Sequence, residues 1–96
     1  MNSEIIIRPE AKLEIEEAHQ YYREIEEKLG SDFLESIERA LDFVSLNPLA
    51  QPKLYKNIHR ILLVKFPYAI FYLFDNRKIV VLACFHQRRE MSDSLG

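Results

Sequence analysis

Cysteine occurs once in these 96 residues and glycine twice. A lone cysteine cannot close an internal disulfide, and the place of Cys84 inside an apolar run marks it as a buried structural thiol. With Gly30 and the terminal Gly96 as its glycines, the chain has no glycine-rich loop to cradle a phosphate. The histidines His19, His59 and His86 lie far apart with no Cys–His spacing beside them, so neither a metal site nor a cofactor is expected. No motif anchors a Ser–His–Asp nucleophile. No run is long and apolar enough to span a bilayer, and Met1-Asn2-Ser3-Glu4 lacks the basic and apolar regions of a secretory signal. A cytoplasmic protein with no membrane partner is the expectation. Internal repeats, linkers and low-complexity stretches are also missing.

A chain of this length buries only about 60–70% of its unfolded surface and cannot support two cores, so a single domain over 1–96 is expected. The formal net charge of −2 hides an asymmetry. Residues 1–42 carry 5 Lys/Arg and 12 Asp/Glu, whereas 43–96 carry 8 Lys/Arg and 3 Asp/Glu. An acidic first half and a basic second half make a dipolar molecule that meets an anionic partner with one side.

Ile5-Ile6-Ile7 reads as a β-strand. Pro9 suits the first turn of a helix, where its missing N–H costs nothing, and Glu10 favours the positive end of that helix. Ala11, Ile15, Ala18, Tyr22, Ile25 and Leu29 recur at spacings of three and four, which predicts one continuous helical stripe. Gly30 is then placed to end the helix in a left-handed conformation, with Ser31 capping the next. The second helix presents Phe33, Ile37, Ala40, Leu41 and Val44 on one side and ends by Asn47-Pro48. So little chain separates the two that they must form an antiparallel hairpin. Residues 49–57 read as a connecting loop or edge segment. Three apolar runs follow, 58–66, 68–74 and 79–85. Pro67 bends the chain between the first two, and Asp75-Asn76-Arg77-Lys78 closes the last two as a tight hairpin with Asn76 able to take a positive φ. The expected class is α+β: an N-terminal strand, an antiparallel two-helix hairpin, then a three-stranded antiparallel sheet (β-α-α-β-β-β), helices packed on one sheet face.

Alternation along the last two strands is apolar on both faces. Tyr68, Ile70, Tyr72 and Phe74 oppose Ala69, Phe71 and Leu73; Ile79, Val81, Ala83 and Phe85 oppose Val80, Leu82 and Cys84. One helical hairpin covers one face, so the other needs a dimer mate, residues 90–96, the 49–57 segment or a partner. Phe71, Leu73 and Leu82 are the candidate contacts there. The basic exit His86-Gln87-Arg88-Arg89, with Arg60, gives a second possibility. Guanidinium groups hold phosphate through paired hydrogen bonds, and a histidine titrating near neutrality serves as general acid or base. Arg60, His86, Arg88 and Arg89 could thus cleave RNA without metal, or else form contacts to a target.

Glu10-Ala11, Ala18-His19-Gln20-Tyr21-Tyr22, Leu29-Gly30-Ser31-Asp32-Phe33, Arg60, Phe66-Pro67-Tyr68-Ala69-Ile70-Phe71-Tyr72 and His86-Gln87-Arg88-Arg89 occur in this order. The series resembles the ParE branch of the RelE/ParE toxins of bacterial type II toxin–antitoxin systems, from about Ile5 to Arg89. The resemblance implies a helical hairpin against an antiparallel sheet and a cognate antitoxin that wraps and neutralises the toxin. ParE-like members are associated with poisoning DNA gyrase, and RelE-like members cut messenger RNA on the ribosome. The chain departs from both patterns. After the arginine pair it has Glu90-Met91-Ser92-Asp93-Ser94-Leu95, without the proline and aromatic residue frequent in ParE-like chains. Its pI of about 5.9 is unlike the strongly basic ribosome-dependent relatives, and an acidic protein gains little salt-sensitive attraction to RNA. The expectation is therefore a non-catalytic gyrase inhibitor neutralised by an antitoxin, with Arg60, Phe71, Leu73, Leu82, His86, Arg88 and Arg89 as contact residues. The alternatives are a metal-independent ribonuclease using Arg60, His86, Arg88 and Arg89, or an inactive antitoxin-binding module.

Overall fold

The computed structural model describes residues 3–88. Strand β1 (Glu4–Ile7) leads into α1 (Pro9–Ile25), which starts with proline at its first turn and Glu10 beside it. The helix stops earlier than the stripe predicts. Glu26 takes an extended conformation (φ −162°, ψ 135°), and α2 (Glu27–Leu46) begins immediately after it. The Glu26 carbonyl accepts the N–H groups of Leu29 and Gly30 at 3.0 and 3.2 Å, satisfying two donors of the new helix. Gly30 therefore sits inside α2, buried, and does not end α1. A Cβ at this position would lie 2.9 Å from Cβ of Arg23 and 3.0 Å from its Cα. The absent side chain lets the two helices close on each other, and left-handed backbone freedom plays no part. Ile25, at the end of the stripe, is exposed.

Four more strands follow: β2 (Lys53–Tyr55), β3 (Ile58–Leu62), β4 (Tyr68–Asp75) and β5 (Lys78–His86). They build one sheet in the order β1-β5-β4-β3-β2. It has five strands where three were expected. Part of the 49–57 segment pairs antiparallel with β3, and β1 joins the far edge parallel to β5, with Glu4 opposite Lys78 and Ile7 opposite Val81. The β4–β5 turn places Asn76 and Arg77 at φ 51° and 63°, the pair of positive angles that matches a tight hairpin to strand twist.

Both helices lie on one face of this sheet. Ala11, Ile15 and Ala18 of α1 and Phe33, Ile37 and Val44 of α2 are buried against Ile70, Tyr72, Ile79 and Val81. Four rings knit one end of this core: Tyr22 stacks on Phe33 at 5.3 Å and meets Phe66 edge-on at 4.8 Å, while Tyr68 meets Phe33 at 5.4 Å. At the other end His59, buried, stacks on Tyr72 at 5.1 Å. The His59 Nδ1 donates to the Gln51 carbonyl at 2.8 Å and the Tyr72 hydroxyl donates to the Pro48 carbonyl at 3.0 Å. Two stacked rings thus hold the loop after α2 to the sheet.

The face assignment in β5 differs from strict alternation. Phe71 pairs with Ala83, but Tyr72 pairs with Val81, so Leu82 is an extra residue in β5. Such a bulge reverses the parity of every residue beyond it. Cys84 therefore joins the helix-side core, while Ala83 and Phe85 turn to the other face with Ala69 and Phe71. That second face is also not the open patch expected from the pattern. Phe71 and Phe85 are each 4% exposed with ring centroids 5.4 Å apart, and Leu73 and Leu82 are half-buried. Residues 90–96, one of the covers considered, lie outside the described residues.

Candidate functional site

The sheet separates the residues proposed as a catalytic group. His59 and Ile61 of β3 belong to the helix face, so Arg60 between them points to the opposite face, directly across from Phe71. His86 pairs with Tyr68, meets its ring edge-on at 5.3 Å and stands on the helix face with it. Arg60 and His86 are thus on opposite sides of the sheet. Arg88 is exposed, and Arg89 lies outside the described residues.

His86 is nonetheless ordered by its surroundings. Its Nδ1 accepts the backbone N–H of Arg88 at 3.1 Å, which puts the proton of a neutral ring on Nε2. The ring borders a cleft of about 340 Å³ between α1 and the end of the β4–β5 hairpin, lined also by Glu14, Glu17, Tyr21, Tyr68 and Phe85. Glu14 reaches across it to accept the backbone N–H of Cys84 at 2.9 Å. β1 ends at Ile7, paired with Val81, so β5 continues beyond its edge partner, and a helix carboxylate takes over the donor at Cys84. The Cys84 thiol is pushed up to about 12 by burial, with the Glu14 charge adding to the shift. It stays a thiol at neutral pH. Two carboxylates beside the imidazole favour a cationic visitor over a phosphate. Sequence reasoning passed over Glu14, although its signal was present: it sits among Ala11, Ile15 and Ala18 on the buried stripe, where a carboxylate needs a partner.

A second concavity, about 550 Å³, runs between α2 and β3. Phe43 from the helix, Leu62 at the end of the strand and Val64 just beyond it line it, and Val64 is 82% exposed. Among the described residues, exposed apolar side chains are spread over β1, α1 and the stretch 43–64, and Phe43, Leu62 and Val64 are those that line this groove. The groove as such was not read from the sequence, where 62–64 fell in the interior of a longer strand and Lys65 counted only among the basic residues. Among the described residues, no helix is long and apolar enough to cross a membrane.

A strand, a helical hairpin laid over one sheet face and a mixed sheet with β1 parallel beside β5 make an α+β fold that is shared with solved toxin–antitoxin structures. The structure is similar to the chromosomal ParDE toxin–antitoxin system of P. aeruginosa, with a TM-score of 0.74 and 13% identity over 88% of this chain and 95% of that one. It is also similar to the RelBE2 toxin–antitoxin complex of Mycobacterium tuberculosis, with a TM-score of 0.61 and 16% identity over 90% and 99%. These likenesses are of fold. The chain belongs to the ParE toxins of type II toxin–antitoxin systems, parDE, whose family model matches residues 5–91. No curated protein sequence matches it.

Proposed function

We propose that this toxin inhibits DNA gyrase without chemistry of its own and that a cognate antitoxin holds it inactive in the cytoplasm. The observation that carries the reading is the separation of Arg60 from His86 by the sheet. Cleavage of RNA through its 2′-hydroxyl needs a general base and a cation on the same phosphate. Here the imidazole faces Glu14 and Glu17 across its cleft, a setting that repels the substrate. Gyrase as the target comes from membership of the ParE branch. The antitoxin is supported by the two neighbours of similar fold, both from toxin–antitoxin systems. Arg60, His86 and Arg88 remain the proposed contacts for the target, together with Arg89.

The second reading is a ribosome-dependent messenger-RNA endoribonuclease. It draws on the ordered His86 ring and its bond from Arg88. One experiment separates the two: supercoiling by purified gyrase with and without the protein, beside primer extension on translated messages. Inhibited supercoiling with intact messages is expected. Codon-linked cuts with unaffected supercoiling would overturn the gyrase reading. Neither effect, with growth unchanged on expression, would leave a module that binds antitoxin and nothing else.

A further inference from the structure

β1 is an end strand of the sheet, with β5 on one side and, among the described residues, no strand on the other. Glu4 and Arg8 give their N–H groups inward, to the carbonyls of Arg77 and Val81 at 3.2 and 3.1 Å. Successive residues of a strand turn their N–H and C=O groups to alternate edges, so Ile6 also faces β5 while Ile5 and Ile7 face outward. Among the described residues no backbone group meets these two from outside. Before them, the outward N–H of Ser3 is already held by the Ser45 carbonyl at 3.1 Å. After them comes Pro9, the first residue of α1, which has no N–H to give. The open edge is thus confined to Ile5 and Ile7.

Sheet edges are commonly blunted by lysine, by proline or by very short strands. β2, at the other end of the sheet, is three residues long and begins with Lys53 directly after Pro52. β1 carries no such guard between its ends: it runs Ile5-Ile6-Ile7, with Ile6 and Ile7 each 38% exposed. Its charges stand at opposite ends, Glu4 before the isoleucines and Arg8 after them. The strand is therefore complementary to itself when read antiparallel. Arg8 is free to take part, since its ion pair with Glu10 is long, at 3.7 Å, between exposed side chains.

We propose that β1 pairs with β1 of a second copy of this chain, antiparallel about a two-fold axis at Ile6, so that the two sheets continue into one. In this register Ile5 lies opposite Ile7 of the second copy, and each exchanges both its N–H and its C=O with the other. Ile6 meets its own copy across the axis, and Glu4 meets Arg8 on either side of it. The neighbouring registers fail. An axis at Ile5 sets Ile7 opposite Ser3, whose N–H Ser45 holds. An axis at Ile7 sets Ile5 opposite Pro9, which cannot donate. The pairing needs neither gyrase nor an antitoxin, and it stands or falls apart from the function proposed above.

The test measures the mass of the purified chain by sedimentation over a range of concentrations, with circular dichroism to check the fold. The parent is expected to pass from monomer to dimer. Glu4→Arg and Arg8→Glu change exposed side chains and leave the backbone bonds of β1 in place. Each sets like charges opposite one another at two symmetric positions and is expected to weaken the dimer at least about tenfold. The double variant carrying both changes restores opposite charges and is expected to dimerise as the parent does. Amide exchange at Ile5 and Ile7 is expected to slow as concentration rises. A parent that stays monomeric, parent-like dimers of both folded single variants, no recovery in the double variant, or exchange at Ile5 and Ile7 indifferent to concentration would each overturn the proposal. Protection of these amides only when an antitoxin is added to a monomeric parent would give the edge to that partner and overturn the second copy as its occupant.

Discussion

Oε1 of Glu14 lies 2.9 Å from the backbone nitrogen of Cys84, a bond that joins α1 to β5 across 70 residues of sequence. It ties the helix to the stretch of sheet edge that β1 is too short to cover. Glu14→Ala leaves a part-buried N–H without its partner, and a loss of about 1–3 kcal/mol is expected in urea denaturation. Glu14→Gln keeps an acceptor oxygen and should recover part of that loss.

Gly30→Ala sets two effects against each other. Alanine is better than glycine in a helix by about 1 kcal/mol. Its Cβ would meet the Arg23 backbone at 3.0 Å, and backbone does not step aside as the end of a flexible side chain does. Overpacking of this kind costs about 1–3 kcal/mol. A net destabilisation is expected, seen as a lower denaturant midpoint.

Alkaline pH should unfold the protein through two buried groups. The Cys84 thiol is raised from 9.0 to about 12 and the Tyr72 hydroxyl from 10.0 to about 12, each by burial. Between the unfolded and folded values the unfolded chain has released a proton that the native one retains. Stability is therefore full below pH 9 and falls as pH rises from there towards 12. The Cys84 slope is at most about 1.4 kcal/mol per pH unit, and Tyr72 steepens the loss above pH 10. Denaturant midpoints measured from pH 7 to 11 check this, and Cys84→Ala should flatten the part below pH 10.

Phe71→Glu is expected to act on the fold before it acts on any partner. A side chain 4% exposed against Phe85 has no room to solvate a carboxylate. Loss of the ring alone costs about 3–5 kcal/mol, and the buried charge adds to it. Circular dichroism should show an unfolded or strongly destabilised chain. Leu82→Glu, half-buried on the bulge, should remain folded with a smaller loss.

Tyr72→Phe removes the hydroxyl that donates to Pro48 and keeps the ring on His59. A loss of about 1 kcal/mol is expected, together with faster hydrogen exchange in the loop 47–51.

Local signals in the sequence were sound where the structure is local. Pro9 opens α1, Asn47 closes α2, and Asn76 turns the last hairpin, each through chemistry confined to a few residues. What escaped depends on contacts distant in the chain. The break at Glu26 has no sequence mark of its own, and Gly30, three positions on from Glu27, offered a plausible but wrong stop. A single extra residue, Leu82, defeated the two-residue period in β5 and exchanged Cys84 for Ala83 on the core face. Parallel pairing of β1 with β5 spans most of the chain and leaves no local trace. Two of the candidate catalytic residues are parted for a related reason. The chemistry of their side chains suggested a group, yet the pleat sends Arg60 and His86 to different sides of the sheet.

The parallel edge also has a consequence for synthesis. β1 is made first, but the residues it pairs with are Lys78 to Val81. Until these have been translated, Ile5 has no sheet to join and the apolar faces of both helices have no floor. The chain therefore cannot complete this fold progressively as it emerges. A nascent chain arrested before Val81 is an incomplete toxin, and the cell that makes it meets the finished surface only after translation has passed that point.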